Sequence, residues 1–190
     1  SDVYKRQVFI RFEYGHFGTA GDIESRFQNS NAVGGSIEYK TGSNWQIGIN
    51  ASAHFSTKVR SEGLLDNILN SVGDITDSEG ELVKVNYEQR GLSVFLQGGK
   101  IFPVFGSNAN SGIITQFGVG YLRHKIKIDY RDGTVFQLSE ENLKGYDRLS
   151  DGLAFKQFLG YQYFGKKNLL NFYLGLEFIQ GLTVNRRGYN

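Results

Sequence analysis

A strict two-residue alternation runs through residues 45–56, WQIGINASAHFS, and limits the fold more than any other feature of the sequence. The odd-numbered positions are apolar, and the even-numbered positions are polar or glycine. Because successive side chains of a β-strand point to opposite faces, this pattern predicts a strand with one apolar and one polar face. Its twelve residues match a tilted membrane-spanning strand, which needs about 9–11 residues.

The same alternation recurs along the chain and predicts seven strands in total. The other six are residues 8–14, 33–40, 91–102, 113–126, 153–163 and 170–179. The connections between strands are alternately long and short: 16–32, 41–44, 57–90, 103–112, 127–152 and 164–168. This rhythm is typical of outer-membrane barrels, which have tight turns on the periplasmic side and long extracellular loops.

These features predict an all-β fold, an antiparallel up-and-down transmembrane β-barrel formed as a single domain by residues 8–190. Seven strands cannot close such a barrel, because the first and the seventh run in the same direction. Open strand edges in lipid leave backbone groups unpaired, so we expect an eighth, closing strand that has been truncated. Residues 1–7, SDVYKRQ, resemble translated adapter sequence and are set aside as a non-native leader. We also expect the native precursor to carry a signal peptide, which is missing here.

The polar face of the predicted strands would form the barrel interior. An eight-stranded barrel is filled by its own side chains, and charges there must be paired. We therefore favour a salt-bridged plug over a proton or ion path. The predicted lumen network consists of Arg11, Glu13, Glu38, Gln46, Asn50, His54, Gln97, Gln116, Lys156 and Glu177.

Aromatic residues lie near the ends of the predicted strands, as in the two interfacial girdles of membrane barrels. The girdle on the short-turn side would contain Tyr39, Trp45, Phe102 and Tyr163. The girdle on the long-loop side would contain Tyr14, Phe55, Tyr121 and Phe178.

Residues that could carry chemistry are few. His54 and Ser52 share a strand face and could serve a hydrolase, but a triad needs a third group and a cleft, so we assign no catalytic residue. His16 and His124 lie in or near loops, have no metal-ligand spacing and are expected to be solvated. The sequence indicates no metal and no cofactor, and we do not expect an enzyme. The 21 basic and 19 acidic residues form no basic stripe, so nucleic acid is not an expected partner.

The second long connection contains a short apolar pattern. Leu65, Ile68, Leu69 and Val72 follow helical spacing and predict a short amphipathic helix. We expect this helix to pack over the barrel mouth, with a partner-binding ridge as the alternative.

Three blocks carry a family resemblance: NANSGIITQFGVGYLRHKI (108–126), KGYDRLSDGLAFKQFLGYQYF (144–164) and NLLNFYLGLEFIQGLTVNRR (168–187). They resemble the small outer-membrane β-barrel proteins of Bacteroidota, which are OmpA/OmpX-like eight-stranded barrels with largely uncharacterised members. The resemblance implies a bacterial outer-membrane location, contact with outer-membrane lipid and no catalytic residues. Some small barrels of these bacteria assist type IX secretion and gliding, which suggests an accessory role by analogy.

The leading functional hypothesis is therefore a structural, anchoring or partner-binding barrel of the cell envelope. Envelope protein partners would bind the long loops 57–90 and 127–152. One alternative is a lipid-modifying outer-membrane hydrolase that uses His54 and Ser52. Another is a soluble lipocalin-like barrel, which would place its apolar residues inside around a ligand.

Overall fold

The computed structural model describes residues 6–21, 24, 27–59, 65–66, 69–72, 74–77, 79–104, 108–131, 138, 146–165 and 171–187. They form one seven-stranded antiparallel sheet in which each strand pairs with its neighbours in sequence. The strands are β1 (Gln7–Phe17), β2 (Ser30–Lys40), β3 (Trp45–Ser56), β4 (Lys84–Pro103), β5 (Gly112–Arg131), β6 (Ser150–Phe164) and β7 (Asn171–Asn185). The all-β class and the up-and-down order are therefore confirmed.

The strand boundaries agree best where hydrophobic alternation is strict. β3 has the predicted bounds, whereas β4 begins at Lys84 rather than at residue 91 and β5 continues to Arg131. In this extension the backbone ladder continues, with Lys84 paired to Arg131, but Glu88 and Arg90 replace apolar residues on the outward face. A pattern based on hydrophobicity ends there although the hydrogen bonding does not. Gln7, which we had set aside with the leader, pairs with Lys40.

The two faces of the sheet differ sharply in polarity. Outward-facing apolar side chains are exposed on every strand, with Phe12 at 90%, Ile49 at 58% and Leu174 at 76%. Inward-facing polar side chains are buried, among them Glu38 at 1% and Asn50 at 1%. This is the opposite of the arrangement that the lipocalin-like alternative requires.

The sheet curls until its two ends approach each other without pairing. The Arg11 guanidinium of β1 donates a 2.6 Å hydrogen bond to Gln162 of β6, and the Phe9 and Phe164 rings lie 6.0 Å apart. β1 and β7 remain the two edges of the sheet and run in the same direction. Two cavities of about 360 and 320 Å³ lie between these edges. The sheet is not closed.

A tight turn joins β2 to β3. The Thr41 amide donates to the Trp45 carbonyl at 2.8 Å, and Asn44 has a left-handed backbone with φ of 67°. The Asn44 side chain donates to the carbonyl of Ala109 at 2.8 Å, which ties this turn to the connection between β4 and β5. Two short connections are thus held together at one end of the sheet.

The opposite end carries an apolar cluster that we call the cap. Its buried members are Phe27, Leu65, Ile75, Val83, Ile126, Ile128 and Leu138. They come from the long connections and from β5, and the partly buried Val85 and Tyr87 of β4 pack against them. Just after the end of β7, the Arg187 guanidinium donates hydrogen bonds to both carboxylate oxygens of Asp147, at 2.8 and 2.6 Å. This hydrogen bonding raises the pKa of Arg187 above its ordinary value.

The prediction of a helix around residues 65–72 is wrong. The described residues of this stretch form no α-helix. Leu65 packs in the cap, whereas Val72 is 82% exposed, so the two do not share one buried face. Contacts with the β4–β5 extension, rather than helical periodicity, decide which apolar residue is buried. Ile68 lies outside the described residues. Within the described chain, no helix is long and apolar enough to cross a membrane.

Replacement of Gly120 by alanine is expected to destabilise the sheet strongly. A Cβ at this inward position would overlap the backbone oxygen of Val94 and would lie 2.7 Å from the Phe95 ring. Phe95 is fully buried, so the overlap cannot be relieved without moving β4. We expect a loss of about 1–3 kcal/mol in the free energy of unfolding. Urea unfolding followed by the fluorescence of Trp45, the single tryptophan, measures it.

The matched control for this prediction is Gly98→Ala. The nearest atom to a Cβ there is the Gln46 carbonyl oxygen at 3.5 Å, an ordinary contact. This variant should stay within about 0.5 kcal/mol of the parent protein. Equal stability of the two variants would contradict the packing of β4 against β5.

Candidate functional site

The interior of the curled sheet is centred on an ion pair between Arg11 of β1 and Glu38 of β2. Arg11 Nη1 donates to Glu38 Oε1 at 2.6 Å, and both side chains are almost completely buried. Arg11 Nη2 donates to the side-chain oxygens of Gln46 at 3.0 Å and Gln162 at 2.6 Å. One guanidinium therefore joins β1 to β2, β3 and β6 across the interior.

The Glu38 carboxylate is correspondingly rich in donors. Gln97 donates to Oε1 at 2.7 Å, Gln116 donates to Oε2 at 3.1 Å, and Ser36 donates to Oε1 at 3.2 Å. Together with Arg11 these groups surround the carboxylate from four strands. These hydrogen bonds offset the desolvation of the charge, and the buried carboxylate has no contact with solvent.

A second polar group lies beside the open edges. Lys156 forms an ion pair with Glu177 at 3.1 Å and donates to Asn50 Oδ1 at 3.0 Å. The Asn50 amide in turn donates to Glu13 Oε2 at 2.7 Å. Glu13 and Glu177 also line the larger cavity between β1 and β7, together with Tyr173.

All ten residues predicted for the lumen network face the interior. The described inward-facing charges also balance: Arg11, Lys40 and Lys156 against Glu13, Glu38 and Glu177. Because these charges balance and the buried cations Arg11 and Lys156 form ion pairs, the geometry favours the plug.

Sequence reasoning missed several inward residues. Gln162, Ser36 and Tyr173 make contacts in these groups but were not named. Gln162 lies six residues after Lys156, in phase with it on β6. That even spacing was the available signal, although apolar residues on both faces of β6 obscure it.

His54, the candidate catalytic base, is bonded to a different serine from the one expected. His54 Nε2 and Ser93 Oγ lie 2.9 Å apart, and the Phe17 ring lies 5.8 Å from the imidazole. Ser93 belongs to β4 and sits directly opposite Ser52. No described carboxylate forms a hydrogen bond with the His54 ring. His54 and Ser93 therefore form a pair without the third member of a triad.

His124 corrects another expectation. We expected a solvated side chain near a loop, but His124 is 5% exposed and lies 5.7 Å from the Phe27 ring. The reason is that β5 continues past it to Arg131, so His124 points inward under the cap. His16 is exposed and bonds to Asn31 at 2.9 Å.

The residues predicted for the aromatic girdles all lie on the outward face. Around the short turns, Lys100 Nζ lies over the rings of Trp45 and Phe102, at 5.2 and 5.6 Å, and Tyr163 stacks on Phe172. Phe178 differs from the expectation, because β7 continues to Asn185 and places Phe178 at the middle of the strand. Tyr121 differs in the same way, because β5 continues to Arg131 and places Tyr121 at the middle of that strand. The remaining members, at or near strand ends, are Tyr14, Tyr39 and Phe55.

Comparison with known proteins adds nothing to this geometry. No protein-family model, curated protein or solved structure matches the chain. In the part of the chain that the structure describes, no group of three His, Cys, Asp or Glu side chains could hold a metal ion.

Replacement of Glu38 by glutamine tests the interior ion pair. The change removes the buried anion while Arg11 stays charged, so the free energy of unfolding should fall by about 3–5 kcal/mol. The double variant Arg11→Met/Glu38→Gln should recover part of this loss, because it removes both charges. Urea unfolding of the three proteins measures the difference.

The control is Glu88→Gln, which breaks the exposed ion pair with Arg90. An exposed pair contributes little, so this variant should lose less than about 1 kcal/mol. If Glu38→Gln cost no more than Glu88→Gln, the interior ion pair would not hold the sheet in its curled form.

Proposed function

We propose that the protein is a β-barrel embedded in the bacterial outer membrane, with a structural, anchoring or partner-binding role carried by its long loops. An accessory role in a secretion or gliding system is part of this proposal only by analogy. The observation that carries it is the distribution of polarity: apolar side chains cover the outside of all seven strands, and paired polar groups fill the interior.

The apolar surface is too large for a protein surrounded by water. Soluble monomers rarely expose contiguous apolar patches beyond a few hundred Å². Here the exposed residues continue from strand to strand, for example Ile10 to Ile37 to Ile49 to Leu96. Contact with lipid chains removes that surface from water.

The size of the apolar surface fits a bilayer. From Leu92 to Phe102, β4 covers roughly 33 Å at about 3.3 Å per residue. A strand tilt of about 40° reduces this to roughly 25 Å, the height of the apolar band of outer-membrane barrels. The shortest strands, β1 and β2, have 11 residues each, enough to cross when tilted.

The unpaired edges of β1 and β7 are the reason to include one further strand in the proposed barrel. In lipid, each unpaired backbone group at the edges of β1 and β7 costs several kcal/mol. Since both edges run in the same direction, a single antiparallel strand between them satisfies both. We include this closing strand in the proposal.

The loops are the part of such a barrel that is available to partners. The interior presents no catalytic triad among the described residues, and the cap covers one end of the sheet. No observation favours the hydrolase over this role. Envelope proteins that bind the long connections, residues 57–83 and 132–149, are the proposed partners.

The sharpest test compares two lysine substitutions. Ile49 lies at the middle of the outward face of β3, so Ile49→Lys should cost about 2–4 kcal/mol in a bilayer. In water the same change on an exposed residue should be nearly neutral. The variant protein should therefore fail to acquire heat-modifiable gel mobility and should be lost from the outer-membrane fraction.

The control substitution is Val72→Lys, which places the same charge on an exposed residue of a long connection. It should leave membrane fractionation and heat-modifiable mobility unchanged. A parent protein that stays folded, monomeric and soluble without detergent would rule out the proposed function. So would normal folding of Ile49→Lys.

A further inference from the structure

Three basic residues form a cluster on the outward face at the cap end of β4 and β5, and we call them the basic rim. They are Arg90 of β4 and Arg123 and Lys125 of β5. Arg90 and Arg123 are exposed, and Lys125 is partly exposed. None of them belongs to the interior network or to the cap.

The strand register brings these charges together. Arg90 pairs directly with Lys125, and Arg123 lies one step along the same face, opposite Leu92. Like charges directly opposite each other on a sheet are destabilising, so a protein surface gains from an anion between them.

The neighbouring carboxylates neutralise this cluster only in part. The Glu88 carboxylate forms an ion pair with the Arg90 guanidinium at 2.6 Å. Asp151 lies opposite Arg123, but its own ion pair, at 2.6 Å, is with Arg186. Within the described chain, neither Arg123 nor Lys125 forms a salt bridge.

Lys127 and Asp129 follow on the outward face of β5. They face each other along the strand at 3.9 Å and contribute no net charge. Among the described side chains at this end of the outward face, six bases and three acids leave an excess of positive charge: Lys84, Arg90, Arg123, Lys125, Lys127 and Arg186 against Glu88, Asp129 and Asp151.

The basic rim lies next to the exposed apolar surface along the strands. On the same face, the next residues toward the middle of the sheet are Leu92, Val94 and Tyr121, all exposed. Phe55 of β3 lies directly across from Arg90. The rim is thus the first polar layer beyond the apolar band, at the level where a bilayer has its phosphate groups.

The opposite end of the same strands differs. There, the single outward base of β4 and β5 in the described chain is Lys100, and its ammonium lies over Trp45 and Phe102. The clustered bases therefore distinguish the cap side of the sheet from the short-turn side.

We propose that Arg90, Arg123 and Lys125 bind the phosphate group of an anionic lipid in the leaflet on the cap side. This inference rests on the proposed function, because the rim faces lipid headgroups only if the apolar band is embedded. The lipid chain would lie along Leu92 and Val94 while its phosphate accepts hydrogen bonds from the two guanidinium groups and the ammonium. The lipid would offset the repulsion between Arg90 and Lys125.

The test places a fluorescent reporter beside the rim. In a Trp45→Phe/Phe55→Trp background, the tryptophan at position 55 lies across from Arg90. The full-length protein, which in the proposal includes the closing strand, is folded into phosphatidylcholine vesicles that contain either brominated phosphatidylcholine or brominated phosphatidylglycerol. Quenching gives the relative affinity of the two lipids at this site. The parent protein, with its single Trp45, reports the same ratio at the opposite end.

We expect at least a tenfold preference for phosphatidylglycerol at position 55 and little preference at Trp45. Each base near an anionic surface contributes about 1 kcal/mol, which corresponds to about fivefold in affinity. The variant Arg90→Gln/Arg123→Gln/Lys125→Gln should lose the preference. The control Lys100→Gln should keep it.

The outcomes separate the two proposals. If the protein folds and is quenched by brominated phosphatidylcholine but the triple variant retains the preference, the lipid site is wrong and the membrane proposal stands. If inorganic phosphate at matched ionic strength removes the preference as fully as the triple variant, the rim is a general anion site and the lipid assignment fails. If the full-length protein, which in the proposal includes the closing strand, folds in no vesicle, the proposed function itself fails.

Discussion

The Arg11 guanidinium makes the contacts on which the curled form of the sheet depends. An antiparallel ladder fixes only the relation between neighbouring strands, and a seven-stranded ladder could stay open and flat. Arg11 lies on the first strand and bonds to Glu38, Gln46 and Gln162, so it fixes the distance between strands that are not neighbours. The buried guanidinium is stabilised because Glu38 neutralises it and the side-chain oxygens of Gln46 and Gln162 accept hydrogen bonds from it. The interior network therefore serves mainly to connect strands that are not neighbours, and its charges are paired and buried away from water.

This polar interior leaves the apolar side chains outside, and the outward face determines which surroundings suit the molecule. Residues such as Phe12 and Leu174 sit beside the unpaired edges and are the most exposed of their strands. Lipid would cover their side chains, but it would not pair the backbone groups of the same edges. The proposed closed barrel in a bilayer would remove both problems, the apolar exposure and the open edges.

The two ends of the sheet are built differently. At the short-turn end, Asn44 and Ala109 tie two connections together, and Lys100 lies over aromatic rings. At the other end, β4 and β5 continue beyond the apolar band, bury the cap on their inner side and carry the basic rim on their outer side. The same backbone extension thus supports both the cap and the basic rim. Such asymmetry suits a molecule whose two ends meet different surroundings.

The sequence alone determined the strand count, the up-and-down order and the face of the residues in the strictly alternating segments, because a period of two is a local property of the extended backbone. Ile49 and Arg11 could be assigned to opposite faces without any structure. Tertiary structure decided what periodicity does not encode: that His54 bonds to Ser93 rather than Ser52, that β4 and β5 extend past their apolar residues, and that Leu65 is buried while Val72 is not. These outcomes depend on register and on contacts between segments far apart in the chain. Their physical reason is that a hydrogen-bonded ladder and a packed cap follow backbone pairing and available space, whereas the hydrophobic pattern records only which side of a strand avoids water.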